Sequence, residues 1–223
     1  MDITVGTGCW GDYGKYLPEW AESIAAQTVK PRYASIADAG LNEPGYIDKA
    51  ARILESAGVP VVLSRVTYEG FGSARNAPFR SATTEWGMHL DTDDTLLPDA
   101  IETYMRLQDQ ADVIAPGALV DGKPQLFPHA SRENVLRAKH CVLSCGAFRL
   151  RYWRQRPWHT RNDWIDTTFW IGLAHLGARI VPVDKPTFVR RMHRDSVHSR
   201  WTREELRQAR QQVIAAAKEW TLN

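Results

Sequence analysis

The stretch Met88-His89-Leu90-Asp91-Thr92-Asp93-Asp94-Thr95-Leu96-Leu97-Pro98-Asp99 decides how the rest of the chain is read. An apolar run, residues 87–90, reads as a strand and breaks into three acids within four positions. That sets negative charge at the carboxyl end of a strand, the edge where open α/β sheets bind ligands. Like charges this close repel, and they persist when solvated or when a divalent cation neutralises them. Mg²⁺ and Mn²⁺ take hard oxygen ligands from one or two carboxylates together with substrate phosphates. The same residues also read as an Asp/Thr cap before a helix near Pro98, and the cluster alone weighs the two readings equally.

On either side, short β-rich runs alternate with helical stretches, the pattern of βα units around a mostly parallel sheet. Strands are expected at 3–6, 33–37, 59–63 and 87–90, and helices at 17–27, 47–57 and 73–84, the second stopped by Gly58 and Pro60. A helix follows Pro98, a strand covers 112–118, and Asp121-Gly122 between apolar flanks predicts a hairpin over 120–127. Beyond it come an apolar run at 142–148, a helix at 163–176 ended by Gly177, and a strand at 178–183. A last helix, 202–220, opens on a Thr202-x-x-Glu205 capping box.

The 223 residues suffice for one sizeable core and argue against two domains. Hydrophobic residues at 43%, charged residues at 24% and a mean hydropathy of -0.39 exclude disordered and membrane-embedded classes. The net charge of +2 hides an uneven split: residues 1–128 hold 10 basic and 18 acidic side chains, and residues 129–223 hold 18 and 8. Cys9, Cys141 and Cys145 form no disulfide framework, and the amino-terminal stretch lacks the pattern of a signal peptide, so a cytoplasmic protein is expected.

Five further pieces fall in register: 16–28, the strand ending in Asp38, Gly72-Ser-Ala-Arg75-Asn76, Asn162-Asp163-Trp164 with Trp170-Ile-Gly-Leu-Ala-His-Leu-Gly177, and the closing "RRMHRDSVHS". Together with the acidic stretch they resemble the family 2 glycosyltransferases, over roughly residues 2–200. The resemblance implies an α/β fold of GT-A type, Rossmann-like, with a mostly parallel central sheet flanked by helices and a carboxyl-terminal acceptor-side extension. It implies a single domain over 1–223, in which 1–128 binds the nucleotide sugar and 129–223 shapes the acceptor side. It further implies a nucleotide-diphosphate sugar as donor, Mn²⁺ or Mg²⁺ as cofactor, and inversion at the sugar. Residue by residue, Asp38 would receive the base, Arg75 and Asn76 would frame the nucleotide, and Asp91 would lie near the ribose. Asp93 would hold the metal, His193 would reach the same metal or the diphosphate, and Asp163 would be the general base.

The chain departs from the family in places. Thr7-Gly8-Cys9-Trp10-Gly11-Asp12 stands where the family often has Pro-x-Tyr-Asn, and Asn162 replaces the Glu before the base. Asp166, one helical turn on, is the rival base. His140, Cys141 and Cys145 read as small buried residues rather than a zinc site, and Trp153, Trp158 and Trp164 as core. Two other functions compete. A sugar-nucleotide nucleotidyltransferase would attack phosphorus in a similar pocket. A nucleic-acid-binding module would use Arg149, Arg151, Arg154, Arg156 and Arg161 as its basic patch. The basic half also leads us to expect an anionic partner, either the acceptor (glycan, protein or modified nucleic acid) or the leaving diphosphate.

Overall fold

The structure is a computed structural model and describes residues 1–159, 165–193, and 202, 204, 207, 208, 211, 213 and 215. In chain order its elements are β1 (Ile3–Gly11), α1 (Leu17–Ala25), β2 (Tyr33–Leu41), α2 (Gly45–Ser56), β3 (Val61–Arg65), α3 (Phe71–Asn76) and β4 (Trp86–His89). There follow β5 (Thr95–Leu96), α4 (Ala100–Leu107), β6 (Val113–Val120), β7 (Lys123–Gln125) and α5 (Arg132–Leu136). The chain continues with β8 (Ala147–Arg149), α6 (Leu150–Trp153), α7 (Ile165–His175) and β9 (Ile180–Arg190).

All the strands join one sheet in the order β3-β2-β1-β4-β8-β6-β9-β5, with β7 paired to β6. β1 pairs in parallel with β2 and β4, β2 with β3, and β6 with β9, while β8 lies antiparallel between β4 and β6. Strands β3, β2, β1, β4, β6 and β9 therefore all point one way, as a mostly parallel sheet requires. The order reverses between β2 and β4 on either side of β1. That reversal leaves a crevice at the carboxyl ends of β1 and β4, and the acidic stretch begins there.

Two cores cover the sheet. One holds Ile3, Val5, Trp20, Ile36, Leu54, Met88 and Tyr104; the other holds Phe79, Phe148, Trp153, Trp158, Phe169 and Trp170. Trp158 stacks on Phe169 with ring centroids 3.9 Å apart, so Trp153 and Trp158 are core residues as expected. Glycine in β1 lets the second layer approach. A Cβ on Gly8 would lie 2.2 Å from the Ala74 carbonyl oxygen, so α3 seats directly on the strand beside the crevice.

Several boundaries differ from the sequence reading. The helix expected at 73–84 spans Phe71–Asn76 and gives way to a 3-10 turn, Ala77–Phe79, where Pro78 has no N–H to continue the ladder. The final strand runs on to Arg190, because register shifts opposite Ala115 and Gly117 absorb Pro182 and Pro186. Most of the apolar run at 142–148 is a loop, with only its end in β8. The hairpin forms as expected, with positive φ at both Asp121 (49°) and Gly122 (74°). Glu205 of the expected capping box lies outside the described residues; the described members of the last expected helix from Glu204 onward are helical and seat Val213 in the second core.

Candidate active site

Leu90 continues the β4 ladder by donating its N–H to Gly6 O, after which the chain turns, with Asp94 N donating to Asp91 O at 3.0 Å. The hydroxyls of Thr92 and Thr7 meet at 2.8 Å and pin this turn to β1. The indole of Trp20 donates to Leu90 O, and Leu97 N to Thr187 O, so α1 and β9 hold the turn from either side. Three acids are thus presented on a rigid loop at the crevice.

Each acid has a different environment. Asp91 accepts from Arg75 Nη2 at 2.9 Å and from Ser144 Oγ at 2.7 Å, and its Oδ1 lies 3.1 Å from His89 Nε2. Burial alone would raise its pKa, but the Arg75 charge and the His89 contact outweigh it and hold the carboxyl well below the usual range. Arg75 also pairs with Asp166 of α7. Burial opposes its charge, yet Asp166 and Asp91 keep the guanidinium firmly protonated. Burial lowers the pKa of His89, so the imidazole is neutral.

Among the described residues, no such cation pairs with the carboxylate of Asp93 or Asp94. Burial, then the charge of Asp91, raises the pKa of Asp93, against the contact between its Oδ2 and His193 Nε2 at 2.9 Å. Asp94 is pushed well up by burial and by the charges of Asp91 and Asp93, although Arg191 N donates to it at 2.9 Å. The turn is short of positive charge, and this is the condition under which a divalent cation binds. The donor types agree: a carboxylate oxygen of Asp93 faces an imidazole nitrogen of His193, whose Nδ1 is buried without a hydrogen-bond partner among the described residues. Ligand atoms of Asp91, Asp94 and Cys145 also lie within 4.8 Å of one another. Asp91 is already engaged there, and burial with the two acids holds the Cys145 thiol protonated, so Asp93 and His193 are the pair that could hold a cation without displacing these contacts.

His193 follows β9 and clusters with the rings of Tyr16 (5.6 Å) and Tyr13 (6.1 Å). Rings continue from there toward β1 and α3, with Trp10 5.6 Å from Tyr13, 5.1 Å from Tyr68 and 5.4 Å from Phe71. Trp10 occupies the segment that departs from the family.

Asp38 closes β2. Its Oδ1 accepts from the N–H groups of Gly40 and Leu41 at 2.9 Å, and Arg65 Nε lies 3.4 Å from Oδ2. It borders an open cavity of about 530 Å³ with Ile47, Leu63 and Ser64. Asn76 is buried, and its amide is spent internally: Nδ2 donates to Trp158 O, while Oδ1 accepts from Trp153 Nε1 and Trp158 N. Its observed partners belong to the fold, whereas those of its neighbour Arg75 belong to the acid turn. Asp163, Arg161 and Trp164 lie outside the described residues.

The sequence reading missed Ser144 and His89, which hold Asp91, and Arg191, which holds Asp93 and Asp94. Ser144 lies in the apolar run at 142–148, and no local pattern marks its distance to Asp91. At the opposite end of the sheet, Arg149 pairs with Glu85 and lies over Trp86, and Arg151 pairs with Asp112. Two members of the supposed basic patch are therefore already neutralised.

Residues 13–174 match the family model "Glycosyl transferase family 2". None of the curated proteins compared matches the chain in sequence. Among solved structures, S. aureus TarS superposes at a TM-score of 0.72 with 15% identity over 96% of this chain and 39% of that one. TarS 1-349 in complex with UDP-GlcNAc gives 0.74 with 16% identity, covering 97% of this chain and 66% of that one. The mannosyltransferase PcManGT from Pyrobaculum calidifontis, in complex with GDP-Man and Mn2+, gives 0.70 with 18% identity, covering 99% and 64%. The fold is shared, and the chain spans about two fifths of full-length TarS and about two thirds of the shorter chains.

Proposed function

Because the chain belongs to glycosyl transferase family 2, we propose that it moves a sugar from a nucleotide-diphosphate donor to an acceptor hydroxyl, inverting the anomeric carbon. The observation that carries this reading is the unbalanced charge of the acid turn at the crevice: Arg75 compensates Asp91, and among the described residues no arginine or lysine side chain pairs with the carboxylate of Asp93 or Asp94. A divalent ion held by Asp93 and His193 would supply Lewis-acid stabilisation of the leaving diphosphate. The rest falls to the chain itself. Asp38, with its open cavity, receives the base, and Arg75 fixes Asp91 on the donor side. A carboxylate at the start of α7 takes the proton from the acceptor hydroxyl as that oxygen attacks in line.

Two acids compete for this last role. Asp163 is favoured by the family resemblance. Asp166 is favoured by its place, since the guanidinium that binds it also binds Asp91 across the crevice. We assign the base to Asp166. The acceptor is proposed to be anionic, because the half of the chain that carries α7 is the basic one.

The test is incubation with Mn²⁺ and a panel of nucleotide sugars, with release of nucleoside diphosphate as readout. Metal-dependent release from one donor class is expected. In a parallel incubation with a nucleoside triphosphate and a sugar 1-phosphate, release of pyrophosphate would establish the nucleotidyltransferase reading instead, and absence of turnover and of thermal stabilisation by every substrate in both incubations would sink both.

A further inference from the structure

Arg191 makes contacts that the proposed reaction leaves unexplained. Its backbone N–H donates to Asp94 Oδ1 at 2.9 Å, and its Nε donates to the backbone carbonyl of Asp93 at 3.1 Å. Nη2 pairs with Glu19 of α1, and the guanidinium lies over the ring of Tyr16, 5.1 Å from its centroid. The same Tyr16 ring flanks His193, two residues further on. One side chain therefore joins three separate parts of the chain: α1, the acid turn, and the segment that brings His193 to Asp93.

The choice of atoms matters. An arginine beside three acids would ordinarily form a bidentate pair with a carboxylate. Here the fork avoids the Asp93 carboxylate, grips that residue's main chain, and has its charge met by Glu19. The Asp93 carboxylate is left facing His193. Arg191 thus fixes the turn without competing for the oxygen a cation would use.

Building on the metal reading above, we propose that Arg191 is a positioning residue for the cation site. By gripping the Asp93 backbone against α1, it sets the Asp93 carboxylate and the His193 imidazole at the separation needed to bind one ion together. It touches neither the ion nor the donor. The role is distinct from charge balance, because its hydrogen bonds to the turn run through main-chain atoms and an Asp94 oxygen. Lysine has no planar fork with which to reach the Asp93 carbonyl and Glu19 at once.

The test is Mn²⁺ binding to the full chain without nucleotide, read by electron paramagnetic resonance, for wild type, Arg191→Ala, Arg191→Lys and Glu19→Gln. Arg106→Ala, which removes a surface pair with Glu102 far from the turn, is the control. Arg191→Ala is expected to weaken Mn²⁺ at least tenfold and to change the spectrum of the remaining bound ion. Glu19→Gln, which frees the guanidinium, should weaken it severalfold, and Arg191→Lys should recover only part of the loss. If Arg191→Ala does not fold, the Lys and Gln variants decide alone. Wild type that takes no Mn²⁺ overturns the metal reading itself. Wild type that binds Mn²⁺, with all three variants within twofold of it, overturns only the role given to Arg191.

Discussion

His193 Nε2 and Asp93 Oδ2 lie 2.9 Å apart although 100 positions separate them in the chain. Both side chains are mostly shielded from solvent, and burial together with Asp91 raises the pKa of Asp93. In the proposed reaction these two groups, which offer an oxygen and a nitrogen to the same small space, would supply half of the cation site. Asp93→Ala and His193→Ala should each lower Mn²⁺ affinity and cut turnover about 10²- to 10³-fold, the size of effect seen when one stabiliser of developing charge is lost. Titration of activity against Mn²⁺ checks this; wild-type metal dependence in either variant would remove that residue from the site.

Arg75 links the acid turn to α7 through Asp91 and Asp166. Its side chain is 11% exposed, so truncation strands two carboxylates in a poorly solvated place. Arg75→Ala should cost about 3–5 kcal/mol in denaturant unfolding. Arg75→Lys should also be impaired, because an ammonium cannot serve both partners with the geometry of a fork. A loss below about 1 kcal/mol for Arg75→Ala would show that water reaches the pair freely.

The assignment of the base separates two neighbouring acids. Asp166→Asn should lower kcat by about 10²- to 10⁴-fold with the donor KM little changed, as expected for loss of general-base assistance. Turnover retained in Asp166→Asn but lost in Asp163→Asn would return the role to Asp163.

Asp112 supplies a pH-dependent part of stability far from the crevice. Burial would raise its pKa, but hydrogen bonds from the side chain and backbone N–H of Arg179, with the charge of Arg151, outweigh it and lower the pKa. A folded-state pKa below the unfolded value of about 3.9 means that this contribution is fully present above that pH. It is lost as pH falls through the folded value. Both arginines are more than half exposed, so screening limits the ion-pair share. Asp112→Asn should cost about 1–3 kcal/mol at neutral pH, chiefly from unmet hydrogen bonds. Its unfolding curve should converge on that of wild type as the solution is acidified below about pH 4.

Gly8→Ala tests the seating of α3 on β1. The added methyl would meet backbone atoms of Ala74, which cannot rotate away. A loss of about 1–3 kcal/mol or more is expected, together with weaker nucleotide binding, because Arg75 follows Ala74 directly. Unchanged thermal stability would show that α3 shifts outward without cost.

The alternation of β-rich and helical runs fixed the class of the fold, since strand and helix periodicity are properties of a few neighbouring residues. The acid run after β4 marked the working edge for the same reason: three carboxylates in four positions are costly wherever the fold places them. Ser144 beneath Asp91, 53 positions away, His193 against Asp93, and Arg191 gripping the turn have no such local mark. Their meeting depends on the sheet order that sets β4 and β8 side by side and brings the end of β9 across the turn. Sequence alone therefore determined that a cluster of charge would stand at a strand end. Tertiary structure decided which of its acids Arg75 compensates, because burial and distance, the quantities that set those charges, exist only once the chain is packed.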